Sequence, residues 1–335
     1  MVHSLTQGQS MKRREFITLL AVAPVAWPRD ALSQQSGKPI IAFLSGQIPP
    51  AYVIDAFRGG LSELGYVEGR DVAFDHHEAG ETYERFRILA DDLVRHQVTL
   101  IFATGGTAAA LACKSASSTV PVLFYIGGDA VGQGLVASLN RPGGNLTGFA
   151  WFGFALAAKR MELLHKLLPK VTEIGMLSNP NNPDAEYEIR EVQAAARTLG
   201  QEIRVFRIAG PSDLDSVFEA ISRERIGALF VGSDTMLSSQ RAQIVALAAR
   251  HGIPAIYERR DYPDAGGLMS YGHNRVEAYR QLGLYAGRIL KGDKPADLPV
   301  IQPTRFDFVI NLKTAKSLGL EVPQLLLGGA DEVIE

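Results

Sequence analysis

Residues 98–129 read VTLIFATGGTAAALACKSASSTVPVLFYIGGD, and this pattern predicts a strand, a turn, a helix and a second strand. Two short apolar runs, at 98–102 and 122–126, flank a glycine-containing turn and an alanine-rich segment. Strands that are apolar on both faces are typical of parallel sheets covered by helices on each side. Ligands bind such sheets at the carboxyl ends of the strands, so the loops at 104–107 and 127–129 are candidate ligand-binding segments.

The length and charge of the chain exclude several classes of partner. The chain has 335 residues, enough for two domains, and its formal net charge is −2 at pH 7. This near-neutral balance provides no electrostatic attraction to nucleic acid or to an anionic membrane surface. No apolar stretch reaches transmembrane length. We therefore predict no nucleic-acid partner and no membrane insertion.

The sequence predicts no cofactor and no metal. His76 and His77 are neighbours, and neighbouring strand residues point to opposite faces, so these two cannot readily share an ion. The turn at 104–107 is not a P-loop, because no Lys-Ser or Lys-Thr follows the glycine pair at the required spacing. The single cysteine, Cys113, excludes an intrachain disulfide, and no partner base that would make it a nucleophile is identifiable.

The N-terminal segment predicts export. A basic tripeptide at 12–14 precedes an apolar stretch at 16–26, which is too short to span a bilayer. The arginine pair within the tripeptide resembles the twin-arginine pattern. We therefore predict an export signal at residues 1–33, cleavage near Ser33 and a periplasmic product.

The succession of strands and helices occurs twice. The strand pattern of 40–45 returns at 173–178, and the strand and loop at 100–107 return at 226–235. This duplication predicts two α/β lobes, each a doubly wound parallel sheet, with matching loops at their ligand-facing ends. Two lobes that face each other form a cleft suited to a small molecule. The alternative is two independent domains whose loops never meet.

Glycine and proline mark the predicted crossings between the lobes. The segment at 141–148 is rich in both residues, and the pattern changes again after Gly267 and near Thr304. Three such crossovers form a hinge, because a few loop residues can absorb lobe closure. The predicted lobes are 38–148 plus 268–304 for lobe one and 149–267 plus 305–335 for lobe two.

Several motifs resemble those of a known family. They are GLVASL (134–139), RPGGN (141–145), TG (147–148), GGLMSYG (266–272), QPTRF (302–306), INLKTAK (310–316) and ADEVIE (330–335). With them, the chain resembles the exported ABC-transporter substrate-binding proteins of the tryptophan/tyrosine-transport-system type. The resemblance implies a type I periplasmic-binding fold, an aromatic or other amino acid as ligand, and ABC permease subunits as partners. The chain departs from these relatives at Ala108 and Ala130, where they often carry proline.

Lobe one offers candidate ligand contacts where its strands end. Free amides at the start of the helix after the 104–107 loop favour an anion such as a carboxylate, and glycines let it approach the backbone. Asp129 could accept from a ligand ammonium, with helix capping as the alternative. The lobe-one candidates are Ser45, Gly46, Tyr52, Thr104, Gly105, Gly106, Thr107, Gly128 and Asp129.

Lobe two offers counterparts to these residues. The loop at 232–235 matches the loop at 104–107, and the turn after Ser178 supplies asparagines, for which an Asx-turn is the alternative. Trp151 is expected in the core, and the charged residues at 258–261 are expected in solvent. The lobe-two candidates are Asn179, Asn182, Ser233, Asp234, Thr235 and Tyr257, and Tyr271 is a further candidate at the predicted second crossover.

The leading interpretation is a non-catalytic, exported protein that captures a small solute between its lobes and delivers it to an ABC importer. One alternative is an enzyme that acts on a small phosphorylated or sugar substrate in the same cleft. Another is the ligand-sensing domain of a regulator. No nucleophile–base pair stands out among the loops, and a leader rather than a helix-turn-helix precedes residue 38.

Overall fold

A computed structural model describes residues 37–80, 82–153 and 156–335. The predicted export signal and its cleavage near Ser33 lie outside these residues. Pro39–Glu335 form one compact unit. None of the described helices is long and apolar enough to cross a membrane.

The described residues contain two sheets, one in each lobe. The strands are β1 (Ile40–Ser45), β2 (Ala73–Glu78), β3 (Leu100–Ala103), β4 (Val122–Ile126), β5 (Leu146–Ala150), β6 (Glu173–Ser178), β7 (Glu202–Arg207), β8 (Ala228–Val231), β9 (Ala255–Tyr257), β10 (Met269–His273), β11 (Phe306–Asn311) and β12 (Glu332–Ile334).

The lobe-one sheet has the order β2-β1-β3-β4-β5, and every neighbouring pair is parallel. Its central strands are buried on both faces, which explains their unbroken apolar sequence. Phe43 and Phe102 point to one face, whereas the smaller Ala42 and Ala103 point to the other.

The lobe-two sheet has the order β12-β11-β10-β9-β8-β6-β7. Its neighbouring pairs are parallel except for β10 and β11, which are antiparallel and pair His273 with Phe306. The chain leaves lobe two at the end of β10, forms α10 in lobe one, and re-enters lobe two at the start of β11. Because β10 ends and β11 begins at the edge of the sheet that faces lobe one, the two strands run in opposite directions. The predicted pair of parallel-sheet α/β lobes is confirmed, with this one antiparallel pair as the difference.

Helices cover both faces of both sheets. The helices found in the described residues are α1 (Ala51–Ser62), α2 (Glu84–Arg95), α3 (Gly106–Ala116), α4 (Ala157–Leu167), α5 (Ala185–Thr198), α6 (Leu214–Arg223), α7 (Thr235–Ser239), α8 (Arg241–Arg250), α9 (Asp261–Asp264), α10 (Arg275–Leu290), α11 (Leu312–Ser317) and α12 (Gln324–Leu327). In lobe one, α2 and α3 share one core and α1 and α10 the other. In lobe two, α4 and α5 share one core and α6 and α8 the other.

Helices α1 and α10 approach each other closely enough to bring their backbones into contact. A β-carbon placed on Gly60 would lie 1.9 Å from the carbonyl oxygen of Arg280. One placed on Gly283 would lie 2.1 Å from the carbonyl oxygen of Phe57. The two glycines are therefore required by helix packing, since any side chain would force the helices apart.

The chain passes between the sheets at positions that differ from the predicted lobe boundaries. Residues 146–150 form β5 of lobe one, so the first crossover follows Ala150 and not 148. Gly148 belongs to this strand, where a β-carbon would lie 2.0 Å from the carbonyl oxygen of Phe124. Its glycine reflects close strand packing and not a linker. Similarly, residues 269–273 form β10 of lobe two, so the second crossover lies at Asn274 and not at 267.

Cys113 is expected to be unreactive in the native protein. It is fully buried in the lobe-one core, and burial raises the pKa of its thiol to about 12. We expect no reaction with a thiol-specific disulfide reagent at pH 8 until denaturant is added, as followed by absorbance. Rapid labelling of the native protein would show that α3 opens locally.

Candidate functional site

A cavity of about 220 Å³ lies between the lobes, at the carboxyl ends of their strands. Most of its wall comes from the loops after β1, β3 and β4 of lobe one and after β8 and β9 of lobe two, and the segments after β5 and β6 and the start of α10 add to it. Pockets for drug-sized ligands measure roughly 300–1,000 Å³, so this cavity suits a solute about as large as an amino acid. The predicted cleft between facing lobes is therefore present.

More than half of the predicted site residues line this cavity. They come from the matching loops after β3 and β8, from the end of β1 and from the turn after β6. Whether each of them contacts a ligand stays a prediction. The residues that line it are Gly46, Thr104, Gly105, Gly106, Thr107, Asn182, Ser233, Asp234 and Thr235.

The loop between β3 and α3 is shaped by its glycines. Gly106 has a φ of 75°, a region that glycine adopts without strain. A β-carbon on Gly105 would lie 2.4 Å from the ring of Phe86, so this position also has no room for a side chain. The Thr104 hydroxyl, which lines the cavity, has no hydrogen-bond partner among the described residues. The loop therefore brings backbone and one buried hydroxyl without a partner to the start of α3.

Side chains of the two lobes bond to each other around Asp184. Asp184 lies in lobe two and is only 6% exposed. The Thr107 hydroxyl and the Gln133 amide, at 2.9 Å, both donate to its carboxylate from lobe one. Burial raises the pKa of Asp184, and these two donors oppose the rise. The carboxylate thus joins the lobes at the edge of the cavity.

Asp234 forms a second link between the lobes. Its carboxylate accepts from the Tyr83 hydroxyl of lobe one, from the Leu237 amide at 2.9 Å and from Asn179 at 3.2 Å. The Leu237 bond caps α7. Burial raises the pKa of Asp234, while the donated bonds favour its charged form. The adjacent Thr235 hydroxyl donates to the carbonyl of Gly105 at 3.2 Å and adds a fourth inter-lobe bond.

A charged cluster lies near the second crossover. Asp261 of lobe two accepts from the Tyr52 hydroxyl at 2.7 Å and from Arg275, both of lobe one. Burial alone would raise the pKa of Asp261, but the positive charges of Arg275 and Arg259 outweigh it and hold the pKa below its ordinary value. Arg259 in turn donates to Glu258 at 2.9 Å.

The expectation that the charged residues at 258–261 are solvated is therefore wrong for three of the four. Glu258, Arg259 and Asp261 have little exposed side chain and line the cavity. Arg260 is the exception, since it is partly exposed and pairs with Asp264 and Glu332.

Four predicted residues lie behind the cavity wall instead of in it. Ser45 is buried at the end of β1, and Tyr52 reaches Asp261 as described. Gly128 lies beneath Asp184, whose carboxylate would be 2.5 Å from a β-carbon there. Asn179 accepts from the Asn181 amide at 3.0 Å in an Asx-turn while it donates to Asp234.

Three further predicted residues point away from the cavity. Asp129 is exposed and accepts from the Val131 amide at 2.9 Å, which corresponds to the capping alternative. Tyr257 is buried against Tyr262, with 4.3 Å between ring centroids. Tyr271 packs on the other face of the lobe-two sheet, beside Phe306 and Phe308.

The fold also brings to the cavity several residues that the sequence pattern does not predict there. Asp184 lies just beyond the candidate turn after Ser178, and Arg275 is the first residue of the helix after the second crossover. Trp151 was expected in the core, and it does stack on His273 at 4.7 Å, yet it also lines the cavity. The missed residues include Tyr83, Tyr125, Trp151, Asp184, Arg275 and Tyr279.

Comparison with known proteins agrees with this architecture. A curated tyrosine-binding protein from Clostridioides difficile (strain R20291) is 26% identical over 269 residues, which cover 79% of this chain and 76% of the relative. The crystal structure of an ABC domain in complex with L-Trp from Streptococcus pneumoniae has a TM-score of 0.81 and 26% identity, covering 89% of this chain and 100% of that chain. The crystal structure of a conserved domain protein from Vibrio cholerae has a TM-score of 0.80 and 26% identity, and the match covers 88% of this chain and 99% of that chain.

The family resemblance extends along nearly all of the described chain. The sequence profile of the ABC transporter substrate binding proteins matches residues 40–334. This range contains both lobes, the three crossovers and the cavity described above. The chain therefore belongs to the ABC transporter substrate binding protein family.

Proposed function

We propose that this solute-binding protein holds an aromatic L-amino acid in its cavity and delivers it to the permease subunits of an ABC importer. The observation that carries the proposal is the composition of the cavity wall, which combines aromatic rings with polar groups suited to a zwitterion. The cavity volume of about 220 Å³ leaves room for a ligand of this size.

The ligand carboxylate is assigned to the start of α3. The first amides of a helix have no intrahelical acceptor, and the helix dipole favours an anion there. The buried Thr104 hydroxyl, which has no hydrogen-bond partner in the described part of the chain, is assigned as a donor to the same carboxylate. Gly106, which is only partly buried, leaves the backbone accessible to it.

The ligand ammonium is assigned to Asp184. Burial makes the ionised form of this carboxyl costly, as the direction of its pKa shift indicates. A ligand cation nearby would offset that cost by Coulomb attraction. The aromatic ring of the ligand would pack among Tyr125, Trp151 and Tyr279, whose rings bound the same cavity.

The printed names of two relatives support an aromatic ligand. One is a tyrosine-binding protein, and the other was solved in complex with L-Trp. Both are 26% identical to this chain. We carry the class of ligand to this chain as part of the proposal, without choosing between tyrosine and tryptophan.

Substrate-binding proteins of ABC importers act outside the cytoplasm. For this chain we propose the periplasm, with residues 1–33 as a twin-arginine-like export signal that is cleaved near Ser33. The basic tripeptide and the short apolar stretch of the leader support this location.

Calorimetric titration with L-Trp, L-Tyr and L-Phe tests the proposed ligand. We expect at least one of them to bind the protein after it has been unfolded, freed of ligand and refolded. D-Trp and L-Leu serve as controls and are expected to bind at least tenfold more weakly. Mass spectrometry of the protein as purified from its native source is expected to detect the same amino acid.

Failure of all three aromatic amino acids to bind would contradict the proposed ligand, although not the membership of the family. We also propose that the protein has no catalytic activity of its own. The ligand is therefore expected to be recovered unchanged after prolonged incubation, as measured by chromatography. A product that accumulates with time would instead favour the enzyme alternative.

A further inference from the structure

Arg160 joins three segments of the chain beside the cavity. It lies on α4, and its side chain is 1% exposed. Its Nη2 donates to the carbonyl of Gly153 at 2.9 Å, to Glu188 at 3.3 Å and to the Ser233 hydroxyl at 3.5 Å. Its guanidinium lies 4.6 Å from the ring centre of Phe230. One buried cation thus connects the first crossover, α5 and the loop after β8.

Glu188 forms hydrogen bonds with the loop after β8. Its two carboxylate oxygens accept from the Ser233 amide at 3.1 and 2.9 Å. A β-carbon on the preceding Gly232 would lie 3.0 Å from Glu188 and 2.7 Å from the carbonyl oxygen of Leu177, so the loop fits closely over the carboxylate. Ser233 also lines the cavity, so the loop that Glu188 bonds forms part of the cavity wall.

The first crossover extends the same network into lobe one. The Gly153 amide donates to the carbonyl of Gly127 at 2.9 Å, and the Trp151 amide donates to the carbonyl of Ile126 at 3.1 Å. Gly127 and Ser233 both line the cavity, one from each lobe. A hydrogen-bonded path therefore runs from one wall to the other through Gly153 and Arg160.

We propose that Arg160 and Glu188 are positioning residues that couple the first crossover to the ligand-facing loop of lobe two, so that closure of the hinge carries Ser233 into place. Net stability is a weak explanation for such a pair, because buried ion pairs often stabilise a fold no more than apolar residues of similar size. All three bonds of Arg160 come from Nη2, while its Nε and Nη1 have no hydrogen-bond partner among the described residues, so the guanidinium is held by the groups that it couples.

The test is the double variant Arg160→Met with Glu188→Gln. Glutamine keeps an acceptor for the Ser233 amide, and removal of both charges leaves no buried ion unpaired, so the fold is expected to persist. We expect release of L-Tyr or L-Trp to become about tenfold faster, a typical size for coupling between sites. Fluorescence of Trp151, the tryptophan that remains after cleavage near Ser33, follows release of L-Tyr in a stopped-flow instrument.

Val192→Ala is the matched control, because Val192 is fully buried on the same helix as Glu188. It is expected to lower the melting temperature and to leave the rate of release unchanged. A double variant that melts lower but releases ligand at the wild-type rate would overturn the proposal, since the pair would then be only structural.

The release assay rests on the proposed function, because it requires a ligand that binds. A second measurement, which needs no ligand, tests the coupling by itself. Hydrogen–deuterium exchange of the apo protein is expected to be faster in the double variant at Gly153 and Ser233, but not in Val192→Ala. If the wild-type protein bound no aromatic amino acid, the proposed ligand would fail and the exchange rates alone would decide the coupling. Unchanged exchange at both positions would overturn it.

Discussion

Replacement of Gly60 with alanine is expected to lower the free energy of unfolding by about 3 kcal/mol, at the upper end of the range for overpacking. The added methyl group would lie 1.9 Å from the carbonyl oxygen of Arg280, which is backbone and cannot rotate away. Helix α10 would have to move off α1 and off the aromatic core beneath it, which includes Phe43 and Phe102. Urea denaturation followed by circular dichroism measures the loss.

The neighbouring Gly59 provides a control of opposite sign. A β-carbon on Gly59 would meet no heavy atom within 4 Å. Alanine is favoured over glycine in a helix by roughly 0.5–1 kcal/mol, so Gly59→Ala is expected to stabilise the protein by about that amount. The interpretation of the α1–α10 contact would be wrong if the two variants were equally stable.

The second large effect is expected on ligand affinity. Asp184→Ala removes the carboxylate that accepts hydrogen bonds from Thr107 and Gln133 of lobe one. It also removes the proposed partner of the ligand ammonium. Loss of one partner from a buried, charged hydrogen-bond network costs roughly 2–5 kcal/mol. We therefore expect affinity for the aromatic amino acid to fall by about 100-fold in calorimetric titrations.

Asp129→Ala is the comparison for this variant. The sequence offers Asp129 as a candidate ammonium partner, with helix capping as the alternative, and the structure shows its carboxylate exposed and bonded to the Val131 amide. We expect the affinity of the Asp129→Ala variant for the aromatic amino acid to stay within about twofold of the wild-type value. A larger loss in Asp129→Ala than in Asp184→Ala would show that the ligand lies outside the cavity described here.

The fold could be predicted because its signals are local. The runs at β1, β3 and β4 are apolar on both faces, and only strands covered by helices on each side need that composition. The carboxyl ends of such strands lie along one edge of the sheet, so the loops after β3 and β8 could be placed in the cleft from the chain order alone.

The inter-lobe contacts could not be predicted in this way. Tyr83, Asp184 and Arg275 meet their partners only when one lobe takes a particular orientation against the other, and no periodicity in the sequence encodes that rotation. The role of Gly148 could not be predicted for a related reason. A linker and a closely packed strand both require glycine, and only the distance to Phe124 distinguishes them.

The direction in which a tyrosine on a strand points could not be predicted, for a different reason. Successive strand residues point to opposite faces, so an error of one position reverses the direction of a side chain. Tyr257 turns toward the core that contains α6 and α8, and Tyr271 packs against the core that contains α4 and α5. Both lie on strands of lobe two, but neither side chain reaches the cavity that they were predicted to line.

The position of α10 in the chain has a consequence for biosynthesis. Lobe one needs α10 to cover the face that carries Phe43 and Phe102, yet α10 begins at residue 275 and β5 ends at residue 150. A ribosome that adds about 5–20 residues per second needs roughly 6–25 s to make the intervening segment. During that interval the nascent chain carries an aromatic face without its cover. Lobe one is thus completed only after most of lobe two has been synthesised, which leaves a window for chaperones or for aggregation.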